Sequence, residues 1–254
     1  ANLTPAKRAL YGMIQASTYD NEANLPDDYI SSLYESYPPQ LISAYLRGQF
    51  VNLTSGAVYP DFDRKLNHTD EEIQPHENLI IGMDFNVLKM AAVIYVIREG
   101  KPLALDEMVG VRDTPTIATL LIERFPFHEM TVIPDAAGQS TSSKNSSESD
   151  HQILRDKGFR VEVSGTNPAI KDRINAVNAL ILNGDGERTL LVNTNKCPRF
   201  TETLEQQVYD DFGMPDKKSG LDHVGDAGGY PLAKRFPIIK PVLSIRDIPI
   251  FGRR

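Results

Sequence analysis

The chain has 254 residues, 41% hydrophobic and 24% charged, with a net charge of −7, ordinary values for a globular protein and enough length for one large domain or a domain with an appendage. It holds no apolar run of about 18 residues, so no membrane span is expected, and its first residues lack a signal-peptide core. Cys197 is the only cysteine, which excludes an internal disulfide and fits a reducing cytoplasm.

The acidic balance argues against a uniformly basic nucleic-acid binder, but the charge is uneven. Residues 1–79 hold 5 Lys and Arg against 11 Asp and Glu, whereas residues 231–254 hold 6 against 1. Residues 1–79 also differ in pattern. Helices are predicted over 6–15 and 27–48, the second interrupted at Pro38-Pro39. A short extended element over 56–62 and a polar linker over 63–77 follow.

From Asn78 the pattern becomes a regular α/β series. Strands are expected over 79–86, 91–98 and 103–109, with a hairpin turn at Glu99-Gly100-Lys101-Pro102. Thr114 as N-cap and Pro115 at the first helical position open a helix to Phe125, and a strand follows at 130–134. Residues 136–150 are rich in serine and read as a mobile loop. A helix over 150–157 ends at Gly158, and a strand covers 159–163. Asn167-Pro168 caps a helix to Leu182 with Gly184 as its stop, a strand covers 188–193, and helices are expected at 201–210 and 220–235. The tail beyond Pro237 is rich in proline and basic residues and reads as irregular. Three strands in a meander, a helix, a fourth strand and further α/β units give by periodicity alone a mixed α/β sheet flanked by helices, with a mainly helical N-terminal extension; the placement of carboxylates sharpens this to a ribonuclease H-like fold.

Three aspartate positions sharpen that reading. Asp84 and Asp135 each end an apolar strand, the place where open sheets carry their sites. Asn86 shares the face of Asp84. Asp222 and Asp226 lie one turn apart on a helix, with His223 between them. Taken singly, each also suits a strand reaching the surface, a turn cap or a solvated helix face. Together they form an all-oxygen set suited to Mg²⁺ or Mn²⁺, and a pair of such ions can drive hydrolysis of a phosphodiester. Gly228-Gly229 suggests close backbone packing beside them. Lys144, Lys171, Arg173 and Lys196 are candidates for a phosphate-binding surface, Lys144 from within the serine-rich loop. No Gly-x-x-x-x-Gly-Lys-Ser/Thr segment occurs.

These segments resemble the C-terminal part of the large subunit of tailed-phage terminases. Ile14 to Asn21, Leu25 to Tyr29 and Tyr45 to Val51 look like the end of that family's ATPase region and its linker. Gly82-Met83-Asp84, Ile133 to Gly138 and Asp222 to Ala227 look like its three nuclease motifs. Asn167-Pro168 and Asn195 to Pro198 are also similar to family segments. The resemblance divides the chain into an ATPase end and linker (1–77), a ribonuclease H-like nuclease domain (78–236) and a basic tail (237–254). It implies that Asp84, Asp135 and Asp226 form a metal-binding catalytic triad, with Asp222 and His223 auxiliary. It further implies a two-metal DNA endonuclease cutting concatemeric genomes in the host cytoplasm. Double-stranded DNA, the portal and the small terminase subunit would be its partners, and the isolated piece would be a monomer. Gly228-Gly229 departs from a helix built of good helix formers, and without a Walker motif the expectation is a piece lacking the motor. The rival readings are a non-catalytic docking module for portal and DNA, and a junction resolvase or ribonuclease on the same fold.

Overall fold

The computed structural model describes residues 15–49, 56–86, 89–136, 149–163 and 165–238. The expected helix at 6–15, Lys144 with most of its serine-rich stretch, and the tail beyond 238 lie outside them.

Among the described residues a six-stranded mixed sheet forms the centre, in the order β5-β4-β1-β2-β3-β6. Its strands are β1 (Leu79–Asp84), β2 (Met90–Arg98), β3 (Lys101–Val111), β4 (Met130–Pro134), β5 (Arg160–Val161) and β6 (Leu191–Val192). The meander β1–β2–β3 is antiparallel, while β4 runs parallel to β1. The β2–β3 turn places Glu99 at φ 51 and Gly100 at φ 76. Two successive left-handed residues match the twist of a tight hairpin, which is why glycine belongs there.

Helices cover both faces. On one side α3 (Thr114–Arg124) and α4 (Asp150–Asp156) pack Ile117, Leu121 and Leu154 against Leu79, Ile81 and Met83 of β1. On the other, α5 (Ile170–Ile181), α6 (Pro198–Gln206) and α7 (Asp222–Arg235) pack Ile174, Val177, Phe200 and Val224 against Ala91, Val93 and Tyr95 of β2. Residue alternation along β1 therefore turns Ile80, Gly82 and Asp84 toward α7. The N-terminal region is helical, with a 3₁₀ helix (Thr18–Asn24), α1 (Tyr29–Ser36) and α2 (Pro39–Tyr45) around Leu33, Leu41, Ile42 and Leu46. Among the described residues no helix is long and apolar enough to cross a membrane.

Several local expectations are corrected. Asp113, not Thr114, caps α3, accepting from Thr116 N at 3.0 Å. Helix α5 begins at Ile170 with Ala169, which has no side-chain acceptor, at its N-cap, while Asn167 is engaged at the end of β4. The helix expected at 201–210 runs from Pro198 to Gln206, and the strands expected at 159–163 and 188–193 shrink to two residues each. Gly184 does not stop α5, which ends at Ile181. Its bare backbone makes room for Tyr34 and Ile42, each 2.9 Å from where a Cβ would stand. The 3₁₀ helix was not anticipated, although Ser17 and Asp20 form a capping box at its start. In the polar stretch 63–77, Asn67 is fully buried and donates to Ile181 O and Leu190 O, so that stretch is fastened to the body there.

Candidate active site

The β1–β4 register pairs Gly82 with Ile133 and Met83 with Pro134. Asp135 N then donates to Met83 O at 3.1 Å, carrying the ladder one step further. Asp84 and Asp135 consequently leave the carboxyl ends of adjacent parallel strands side by side, on the face covered by α7. Helix α7 supplies the third carboxylate.

Its close approach to β1 rests on Gly82. A Cβ at position 82 would stand 1.8 Å from Ala227 O and 2.6 Å from Pro231 Cδ. Pro231 lies inside the helix and has no N–H to return to the carbonyl four residues before it, which is that of Ala227. Gly228 and Gly229 complete the fit: a Cβ at 228 would stand 2.3 Å from the Phe200 ring, and one at 229 would stand 2.9 Å from Arg173 Cδ. The close packing expected around Gly228-Gly229 is present.

Asp84 is buried, and its carboxyl is pushed up to about 6 by that burial, reinforced by the negative charges of Asp226 and Asp135. Asp226 is also raised, chiefly by burial and further by Asp222, against the lowering pull of Arg173. Asp226 and Asp135 are thus each near enough to Asp84 to act on it electrostatically. His223 Nδ1 lies 3.0 Å from Asp84 Oδ2, and Asn86 Nδ2 lies 2.8 Å from His223 Nε2. Asp222 is buried, and its Oδ1 has no hydrogen-bond partner among the described residues; His223 Nε2 is 4.0 Å away.

Two polar neighbours escaped the sequence reading. Asn167 donates through Nδ2 to Asp135 Oδ1 and accepts from Ala136 N at 2.8 Å, so it clamps the end of β4 rather than capping α5. His151, on α4, has Nε2 2.9 Å from Asp135 O, its ring against Phe85. Arg173, expected on a phosphate-facing surface, is instead buried and paired with Asp226, its guanidinium 4.6 Å from the Tyr230 ring centroid. Lys196 is drawn to Glu72 at 2.6 Å, beyond β6 at the far edge of the sheet from β4. Lys171 stands exposed on α5.

The donor chemistry fits a divalent cation. The set is all carboxylate, Asp84 and Asp226 are each raised in part by a neighbouring carboxylate's charge, and a buried Asp222 oxygen lacks a partner among the described residues. Among the described residues no three His, Cys, Asp or Glu side chains stand as a ready-made cage. Asp226, Asp135 and Asp84 are held instead by Arg173, Asn167 and His223 respectively.

Among curated proteins, no sequence matches this chain. Of solved structures, the large terminase of a thermophilic bacteriophage superposes with a TM-score of 0.65 at 18% identity, covering 85% of this chain and 54% of that one. The P22 large terminase nuclease domain superposes with a TM-score of 0.55 at 18% identity, covering 74% of this chain and 96% of that one. The chain therefore spans about half the length of the thermophilic phage's large terminase, and these likenesses show its fold. The model of the terminase RNaseH-like domain matches residues 81–235, more than half of the chain and nearly the whole of the segment from β1 to α7. The chain belongs to the terminase RNaseH-like domain family.

Proposed function

We propose that this chain is the nuclease part of a phage large terminase, a divalent-cation-dependent endonuclease that cuts concatemeric DNA into packaged lengths. The observation that carries the reading is the side-by-side exit of Asp84 and Asp135 from parallel strands, opposite Asp226 on α7. Asp84, Asp135 and Asp226 would hold two Mg²⁺ or Mn²⁺ ions, with Asp222 as an auxiliary oxygen donor. Bound there, such ions supply Lewis acidity at the scissile phosphate and acidify the attacking water.

The chain's own groups supply the positioning. Asn167 fixes the Asp135 carboxylate at the end of β4. His223 and Asn86 form a polar chain that orients Asp84. Tyr230 and Arg173 wall the site beside Asp226. Residues 1–77 are assigned to the end of the ATPase region and its linker, 78–236 to the nuclease and 237–254 to a basic tail. Double-stranded DNA is the substrate, and the portal and small terminase subunit are the partners, met in the host cytoplasm.

Competing substrates test the assignment. With Mn²⁺ present, linear duplex DNA, a four-way junction and an RNA–DNA hybrid are offered in equal amounts. Preferential cutting of the duplex is expected. Preference for the junction or the hybrid would replace the terminase reading with a resolvase or ribonuclease on the same fold.

A further inference from the structure

Arg173 places a buried positive charge inside the carboxylate cluster. It stands in the first turn of α5 and is fixed on three sides. Gly229 leaves space for its stem, since a Cβ there would stand 2.9 Å from both Cγ and Cδ. The Tyr230 ring lies against its guanidinium at 4.6 Å. Its Nη2 donates to Asp226 Oδ1.

Burying an ion pair is a poor way to gain stability, because an apolar side chain of similar volume fills the same space without desolvating two charges. The charge itself is therefore the informative feature. Asp226 faces Asp84 and Asp222 as well as Arg173, and three carboxylates this close repel one another unless a cation stands among them. The Arg173 guanidinium, bonded to Asp226, supplies that cation.

We propose that Arg173 is a resident counter-ion of the site: it holds Asp226 when no divalent cation is present, and its charge limits how tightly Asp84, Asp135 and Asp226 bind Mg²⁺ or Mn²⁺. The inference rests on reading this cluster as a divalent-cation site. Arg173 and an incoming ion share one carboxylate, so ion binding loosens the Arg173–Asp226 contact. Even under water-like screening, a unit charge about one side chain away from a dication changes its affinity by about tenfold, and by more at lower dielectric. The role is one of positioning and charge balance; nothing requires Arg173 to touch the reacting phosphate.

Two measurements test it without reference to DNA cutting. In the first, Mg²⁺ is titrated into isotope-labelled wild-type protein while the Arg173 Nε–H signal and the aspartate side-chain carboxyl signals are followed by NMR. The Arg173 signal is expected to move together with those of Asp84, Asp135 and Asp226. Movement of the carboxyl signals with Arg173 unmoved overturns the inference and leaves the cation site standing. No movement of any of them overturns both. In the second, Mn²⁺ affinity is measured by calorimetry for wild type, Arg173→Gln and Arg173→Lys, each first shown by thermal melting to be folded. Arg173→Gln is expected to bind about tenfold more tightly, and Arg173→Lys, which keeps the charge, within about twofold of wild type. Unchanged or weaker binding by folded Arg173→Gln contradicts the proposal. Should Arg173→Gln not fold, the wild-type titration decides the matter alone.

Discussion

Gly82 of β1 lies against the backbone of Ala227 of α7, so close that a Cβ on residue 82 would stand 1.8 Å from the Ala227 carbonyl oxygen. Asp84 is two residues beyond Gly82 on the same face of the strand, and Asp226 immediately precedes Ala227. The contact therefore sets the spacing of two carboxylates on different elements. Pro231 contributes from the helix side, since its missing N–H leaves the Ala227 carbonyl without the usual helical donor.

Gly82→Ala should accordingly push α7 away from the sheet. The clash is with backbone, which cannot rotate aside, so a loss of about 3 kcal/mol is expected, with a melting temperature lower by roughly 5–10 °C. Thermal melts of the variant beside wild type check this. An unchanged melting temperature would mean that α7 does not rest on β1 as described.

The raised Asp84 carboxyl predicts a pH dependence. In the unfolded chain this group titrates near the ordinary 3.8, and in the fold at about 6. The folded state therefore holds the proton more tightly. The contribution favours folding below the unfolded value and is lost as pH rises through about 6. Asp84→Asn, neutral at every pH, lacks that loss. In chelator at pH of about 7.5 it should be more stable than wild type, by at most about 2–3 kcal/mol, and the difference should close by a pH of about 4. Denaturant unfolding at the two pH values measures it; parallel pH profiles for the two proteins would contradict it.

Asn167 holds both the Asp135 side chain and the backbone of Ala136. Asn167→Ala should lower cutting by about 10–100-fold, the usual effect of removing a group that orients a ligand. Its effect on stability should be only about 1–2 kcal/mol, from two lost hydrogen bonds. Cleavage rates and melts on the same preparation separate the two effects, and wild-type rates would remove Asn167 from the site.

Lys196 pairs with Glu72 rather than with any of the three site aspartates, and the pair is largely exposed. Lys196→Ala is expected to leave both cleavage and stability within about twofold and about 0.5 kcal/mol of wild type, as for most exposed ion pairs. A large loss of DNA affinity, read from salt-dependent binding, would extend the DNA surface to the far edge of the sheet.

Much of this was legible in the chain. Apolar runs ending in Asp84 and Asp135 marked strand ends, and the helical spacing of Asp222 and Asp226 marked one face of α7. Most short-range signals hold where a side chain's role is set by its own element, although Asp113 takes the cap of α3 expected of Thr114. They failed where the role is set across the fold. Asn167 before Pro168 reads equally well as a helix cap, and only the β4 end, 32 residues away, claims it. Arg173 looks like an ordinary exposed helix charge until α7 brings Asp226, 53 residues distant, beside it. Strands β5 and β6 are shorter than the expected 159–163 and 188–193, their registered pairs with β4 and β3 being limited to Arg160-Val161 and Leu191-Val192. Gly82 gave no warning, since a glycine in a strand shows nothing of the backbone that will press on it.

The most direct test of the nuclease reading is cleavage of supercoiled plasmid DNA by purified protein in Mn²⁺, Mg²⁺ or EDTA, beside Asp84→Ala. Nicking and linearisation are predicted with either ion, none in EDTA, and none with a variant shown by circular dichroism to be folded. Intact plasmid under every ion condition, or equal cutting by wild type and Asp84→Ala, would contradict that reading.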